Sequence, residues 1–234
     1  MTAPIELINV TKTYGDFNAV NDVSFTVPEG TVCGFLGPNG AGKTTCIRMM
    51  LDILRPTSGT ISILGAPRAL DVRGRIGYLP EEKGLYKKMT AASIIAYFAT
   101  LKGMPSALAK KTARELLERY GLGAFQDYKC EALSKGMAQK VQVLASIAPE
   151  PDLVILDEPF SGLDPPNVAR IEELLRDLNR SRGLTLIVSS HHIASSLRLA
   201  DQLVLLQGGT PICGDPGELS ESHDPRITEF LGAD

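Results

Sequence analysis

The run Gly37-Pro38-Asn39-Gly40-Ala41-Gly42-Lys43-Thr44, followed by Thr45, sets three glycines beside one cation and two hydroxyls. Such a segment can cradle a chain of phosphates. Several backbone N–H groups must converge on the anion, and only residues without bulk let a backbone curl that tightly. Lys43 would reach the β and γ phosphates, the Thr44 hydroxyl would ligate a metal, and the N-terminus of the following helix would face the negative charge. The predicted ligand is a nucleoside triphosphate with Mg²⁺. An apolar stretch (Val32, Cys33, Phe35, Leu36) precedes the run and a helix-like segment, residues 46–54, follows it, which is the strand, loop and helix context the pattern needs.

Three further clusters carry candidate chemistry. Residues 153–158, Leu-Val-Ile-Leu-Asp-Glu, place two carboxylates at the carboxyl end of a buried strand, where ligands sit in open α/β sheets. Adjacent strand positions point to opposite sides, so Asp157 is expected toward the metal and Glu158 toward an attacking water. His191 and His192 follow an apolar strand and emerge at the same edge, where a histidine can hold a γ-phosphate or orient the water; their spacing does not choose between them. Residues 133–137, Leu-Ser-Lys-Gly-Met, put a serine and a glycine at the start of an apolar helix (Met137, Val141, Leu144, Ala148), a second anion-binding end whose plainer reading is a helix cap.

The elements that must position these groups follow from periodicity. Residues 5–10 and 20–27 have strand-like content, and Val23, Phe25 and Val27 alternate, suggesting a small antiparallel sheet. Strands are expected at 31–36, through Ile61 and Ile63, and at 76–79. The pattern turns helical from about residue 90 to 149, with Ile94, Ile95, Phe98 and Leu101 on one face, which reads as a helical insertion. It then returns to βα order: strand 153–156, helix 171–178, strand 184–188, a short helix and strand 203–206. A mostly parallel sheet flanked by helices is the expected α/β architecture.

The chain's 234 residues suit one domain with a subdomain inserted in it, and 44% hydrophobic with 22% charged residues is ordinary globular composition. No apolar stretch approaches the ~20 residues that cross a bilayer, and no secretory signal is visible at the start. Cys33, Cys46, Cys130 and Cys213 show neither metal nor disulfide spacing, and reduced thiols are expected. A net charge of −3 argues against a nucleic-acid surface, and none is expected as partner. A GTPase reading has only Asp71 and Gly74 in its favour and lacks a guanine reader.

Together these residues resemble the ATP-binding cassette ATPases, the nucleotide-binding subunits of ABC transporters, from about residue 5 to 214. The resemblance implies a P-loop NTPase fold of the RecA-like type, with an N-terminal antiparallel β subdomain and an inserted α-helical one. Its expected division is a RecA-like core at about 1–85 and 150–214, a helical subdomain at about 86–149 and a short C-terminal tail at 215–234. It implies ATP and Mg²⁺ as cofactors, held by residues 37–45, with Thr44, Asp157 and Glu81 at the metal. Lys43 and Glu158 would carry the reaction, His191 would be the switch histidine, and Tyr14 would stack on the adenine.

Ser134, Lys135 and Gly136 resemble the family's signature Leu-Ser-Gly-Gly-Gln and would touch the ATP of a partner subunit. Ser161, Gly162, Leu163 and Asp164 would line the dimer contact. Two departures stand out: Glu81 occupies the place of a usual glutamine, adding a negative charge, and Met137 replaces the signature glutamine and cannot donate a hydrogen bond. With Lys135 and the run at 81–86, they resemble an exporter subgroup that includes sodium-extrusion-like systems. The implied partners are a second copy or a paralogous ATPase subunit and a separate membrane permease, with the chain on the membrane's cytoplasmic face. The alternative is a soluble ABC ATPase serving nucleic-acid repair, translation or assembly.

Overall fold

The computed structural model describes residues 3–81, 86–207 and 210–231. Strands β1 (Ile5–Tyr14) and β2 (Phe17–Val27) form an antiparallel hairpin in which Ile5 faces Val27 and Tyr14 faces Phe17. Both bury alternate side chains toward the end where Ile5 meets Val27, as a sheet with one wet face requires. β3 (Val32–Leu36) is different: all five residues are buried, so it must be covered on both sides. It runs through the glycine-rich loop into α1 (Lys43–Met50). Sequence periodicity extends that helix to Leu54, but Asp52 adopts a left-handed φ of 59° and the Ile53 and Leu54 N–H groups fold back on the Arg48 carbonyl, closing the helix early. β4 (Ser58–Ile63) then pairs with β1, giving the order β2-β1-β4.

β5 (Ile76–Leu79) leads to three successive helices, α2 (Ala91–Leu101), α3 (Ser106–Arg119) and α4 (Lys135–Ile147). Thr90 caps α2 and Ser134 caps α4, each side chain accepting from the N–H three residues on. β6 (Leu153–Asp157) is followed by α5 (Pro165–Arg182), longer at both ends than its apolar pattern suggests: Pro165 sits at the first turn, where its missing N–H costs nothing, and Gly183 ends the helix at φ 63°. β7 (Thr185–Ser190), α6 (Ile193–Leu199) and β8 (Gln202–Gln207) continue the winding. The sheet order is β5-β6-β7-β3-β8 with every pair parallel, and β9 (Thr210–Gly214) adds an antiparallel edge to β8. This edge strand has no clear signal in the sequence, because Pro211 weakens the pattern and is tolerated only where one side needs no ladder bond.

The fold is therefore α/β, a mostly parallel sheet beside a smaller antiparallel one. The large sheet divides the core by strand parity. Val154, Leu156, Leu186 and Val188 face α2 to α5, whereas Leu153, Ile155 and Ile187 join Cys33, Phe35, α1 and the inner face of the small sheet. Beyond β9, α7 (Pro216–Ser220) and α8 (Pro225–Leu231) lay Leu219 and Ile227 over Leu36, Leu203 and Leu205.

Candidate functional site

The glycine loop leaves β3 at the carboxyl edge of the sheet. Gly42 adopts φ 95°, and a Cβ there would lie 2.3 Å from the Ala19 carbonyl oxygen, so both backbone angle and space demand glycine. Gly37 is constrained from the other side, its missing Cβ falling 2.4 Å from the Leu206 carbonyl oxygen. The loop is thus wedged between β2 and β8. Lys43 is only 8% exposed, and its ammonium donates to the Gly37 carbonyl at 2.7 Å and the Pro38 carbonyl at 3.3 Å. Burial holds its pKa below the ordinary lysine value, against the opposing pull of Glu158, Asp157 and Glu81. Asn39, Gly40, Ala41, Gly42, Lys43, Thr44 and Thr45 line a cleft of about 280 Å³ that also takes in Glu81 and Glu158.

Strand parity aims Asp157 at this side of the sheet, since residues 153, 155 and 157 share a face. Asp157 is 2% exposed. Its Oδ1 accepts a 2.5 Å hydrogen bond from Ser189 Oγ, its neighbour in register on β7, while Oδ2 is buried and has no hydrogen-bond partner among the described residues. Burial raises its pKa; Ser189 and Lys43 oppose the rise, and Glu81 and Glu158 add to it. Simple alternation would send Glu158 to the opposite face. Instead Glu158 takes φ 51°, leaving the strand, and its side chain lines the same cleft. Its N–H is held by the Ser189 carbonyl and hydroxyl, both at 3.1 Å.

The two histidines stand differently beside Glu158. His191 Nδ1 lies 2.7 Å from Glu158 Oε2, whereas the His192 ring packs edge-on against Phe160. The signature-like residues stand elsewhere. Ser134 caps α4 by accepting from the Met137 N–H at 3.3 Å, and neither it, Lys135 nor Gly136 borders the cleft. Lys135 and Gly136 pack elsewhere: the Lys135 ammonium lies over Gly162, before α5, and Gly136 leaves no room for a side chain beside Asn167 in the first turn of α5, which donates to Asp164. Tyr14 is half-exposed near Lys12 and is not a wall of the cleft; its cross-strand neighbour Phe17 is.

Comparison with known proteins meets this geometry independently. The sequence model of the family described as ABC transporter matches residues 20–161. The chain belongs to the ABC transporter family. An uncharacterised ABC transporter ATP-binding protein of Bacillus subtilis strain 168, YhaQ, is 44% identical over 213 residues, covering 91% of this chain and 70% of its own length. The Nod factor export ATP-binding protein I of Burkholderia orbicola is 38% identical over 237 residues, covering 99% and 78%. A solved structure of the ATP-binding subunit of an ABC transporter superposes with a TM-score of 0.83 at 29% identity, over 98% of this chain and 99% of that one.

This ABC protein is thus an ATP-binding subunit, an ATPase coupled to transport. Sequence reasoning singled out neither of two further residues found at or beside this cleft. Ser189 joins Asp157 to the Glu158 backbone, and its signal was available as a hydroxyl at the end of the apolar run 186–188. Phe17 gave no signal, because an aromatic after a turn reads as ordinary hairpin.

Proposed function

We propose that this ABC ATPase works as one half of a head-to-tail pair that hydrolyses ATP and drives a separate permease, in the direction of export. The observation that supports this most is the Glu158 and His191 contact of 2.7 Å at the rim of the Lys43 cleft, with the second anion-binding end at Ser134 outside that cleft. One chain then holds the triphosphate on residues 37–45, and the other presents Ser134, Lys135 and Gly136 to the γ-phosphate. A twofold arrangement uses each surface twice. Ser161, Gly162, Leu163 and Asp164 would line the seam beside the signature end, since the Lys135 ammonium lies over Gly162.

Within the cleft, Lys43 would exchange the Gly37 and Pro38 carbonyls for phosphate oxygens. Glu158 would accept the proton of the attacking water, with His191 Nδ1 holding Oε2 so that the remaining oxygen faces the water. The residues fit Mg²⁺: Asp157 Oδ2 is a buried oxygen with no hydrogen-bond partner among the described residues, on the sheet face that carries the cleft, and Thr44 and Glu81, which line the cleft, would be further oxygen ligands. Bound there, the ion would neutralise charge on the β and γ phosphate oxygens. Tyr14 would flank the adenine.

No helix among the described residues is long and apolar enough to cross a membrane. The motion of closing would therefore pass to an integral permease on the membrane's cytoplasmic face. An apolar groove of about 270 Å³ between Tyr78, Pro80, Phe98 and Ala145 joins β5, next to Glu81, to α2 and α4 and suits a docking segment of that permease. The corresponding division is a RecA-like core at about 1–85 and 150–214, a helical subdomain at about 86–149 and a tail at 215–234. Export is favoured because the Nod factor relative is named for it.

The test is Glu158→Gln. With ATP and Mg²⁺ it should bind nucleotide, lose turnover and elute from a sizing column as a dimer. A variant that stays monomeric and still hydrolyses ATP refutes the proposal.

A further inference from the structure

The motifs leave the base of the nucleotide to Tyr14 alone, and one face of that ring is near a cation already: the Lys12 ammonium lies 5.1 Å from its centroid and is itself tied to the Arg55 carbonyl at 2.8 Å. Phe17 stands differently. It is 64% exposed, an apolar ring left in water, and with Ala19 it walls the phosphate cleft. Ala19 fixes its distance from the phosphates, because the Ala19 carbonyl packs directly on Gly42.

Phe17 lies two residues back along β2, about 7 Å away and on the same face as Ala19. That interval leaves room for a ribose between phosphates seated on residues 40–45 and a ring at Phe17. Tyr14 is its partner in register across the hairpin, so the two rings form neighbouring parts of one surface.

We infer that Phe17 is a base-stacking residue of this ATPase, taking a purine on its exposed face with Tyr14 beside it. The inference rests on the nucleotide reading of the cleft proposed above. Phe17 offers aromatic surface and no polar atom, so it contributes affinity for a flat ring rather than a hydrogen-bond code.

The chain contains no tryptophan, so Phe17→Trp installs a single fluorophore at the position in question. ATP should quench it saturably, and inorganic tripolyphosphate should not. Phe17→Ala should weaken ATP binding about 5- to 30-fold by calorimetry, within the range for aromatic stacking, while tripolyphosphate affinity stays at the wild-type value. An exposed side chain carries little packing, so the variant should fold. Equal losses for ATP and tripolyphosphate in Phe17→Ala would reveal a structural effect and overturn the inference. So would unchanged ATP affinity with no quenching in Phe17→Trp while the wild type binds ATP, an outcome that leaves the nucleotide reading standing. Failure of the wild type itself to bind ATP would sink that reading instead, and the inference with it.

Discussion

Asp157→Asn should make the nucleotide-free protein more stable while removing the carboxylate proposed to hold Mg²⁺. Asp157 is 2% exposed, Ser189 satisfies one carboxylate oxygen, and the other has no partner among the described residues. An unpaired buried polar atom costs about 1–3 kcal/mol, more when charged. An asparagine keeps the Ser189 bond through its carbonyl and leaves a neutral amide unpaired, and Glu158 and Glu81 remain to face Lys43. The net gain should be on the order of 1 kcal/mol, or roughly 2–4 °C in melting temperature for a domain of this size.

The pH dependence has a definite sign. Because the folded pKa of Asp157 is raised, mainly by burial, the folded state binds more protons than the unfolded one between the ordinary aspartate value and the raised value. Stability is lost as pH rises through that window, so the variant's advantage is full above the raised pKa and shrinks as pH falls through it. Thermal melts with and without ATP and Mg²⁺ measure both halves. The wild type should gain stability from the pair by mass action, and the variant should lose the Mg²⁺-dependent part. A variant that melts below the wild type without nucleotide, or an advantage that grows on acidification, would refute the reasoning.

His191→Ala should cut ATP turnover by roughly 10²-fold, because only that ring meets Glu158, whereas His192→Ala should stay within a few-fold of wild type; steady-state kinetics decides. Gly42→Ala should abolish nucleotide binding and cost about 1–3 kcal/mol in denaturant unfolding, since its Cβ would press on the Ala19 carbonyl at a left-handed φ. Ser189→Ala frees Asp157 Oδ1 and loosens the Glu158 backbone, and should lower both stability, by about 1–2 kcal/mol, and turnover.

The strands of the large sheet were readable because burial on both faces writes unbroken apolar runs: residues 76–79 match β5, and 153–156 fall one short of β6. Ends were less readable, since they depend on local backbone choices such as the left-handed Asp52 that stops α1 or the Pro165 start of α5. The edge strand β9 has tertiary pairing and little pattern of its own. Within the site, the glycine loop and the acidic pair stood out because their residue types are demanded by space and charge. The alternation rule nevertheless missed that Glu158 turns back into the cleft, a consequence of its φ of 51° that no side-chain pattern encodes. Which histidine meets Glu158, and which aromatic walls the cleft, depend on contacts between segments far apart in the chain.

The central claim, that each hydrolytic pocket is shared between two copies, is tested most directly by mixing two inactive chains. Lys43→Ala destroys the cradle and Ser134→Ala the signature end. A mixed pair has one site carrying both defects and one carrying neither, so ATPase activity should be near zero for each variant alone and should return on mixing, with about a quarter of all sites intact under random pairing. No recovery on mixing, or full turnover by Ser134→Ala alone, would contradict a shared pocket.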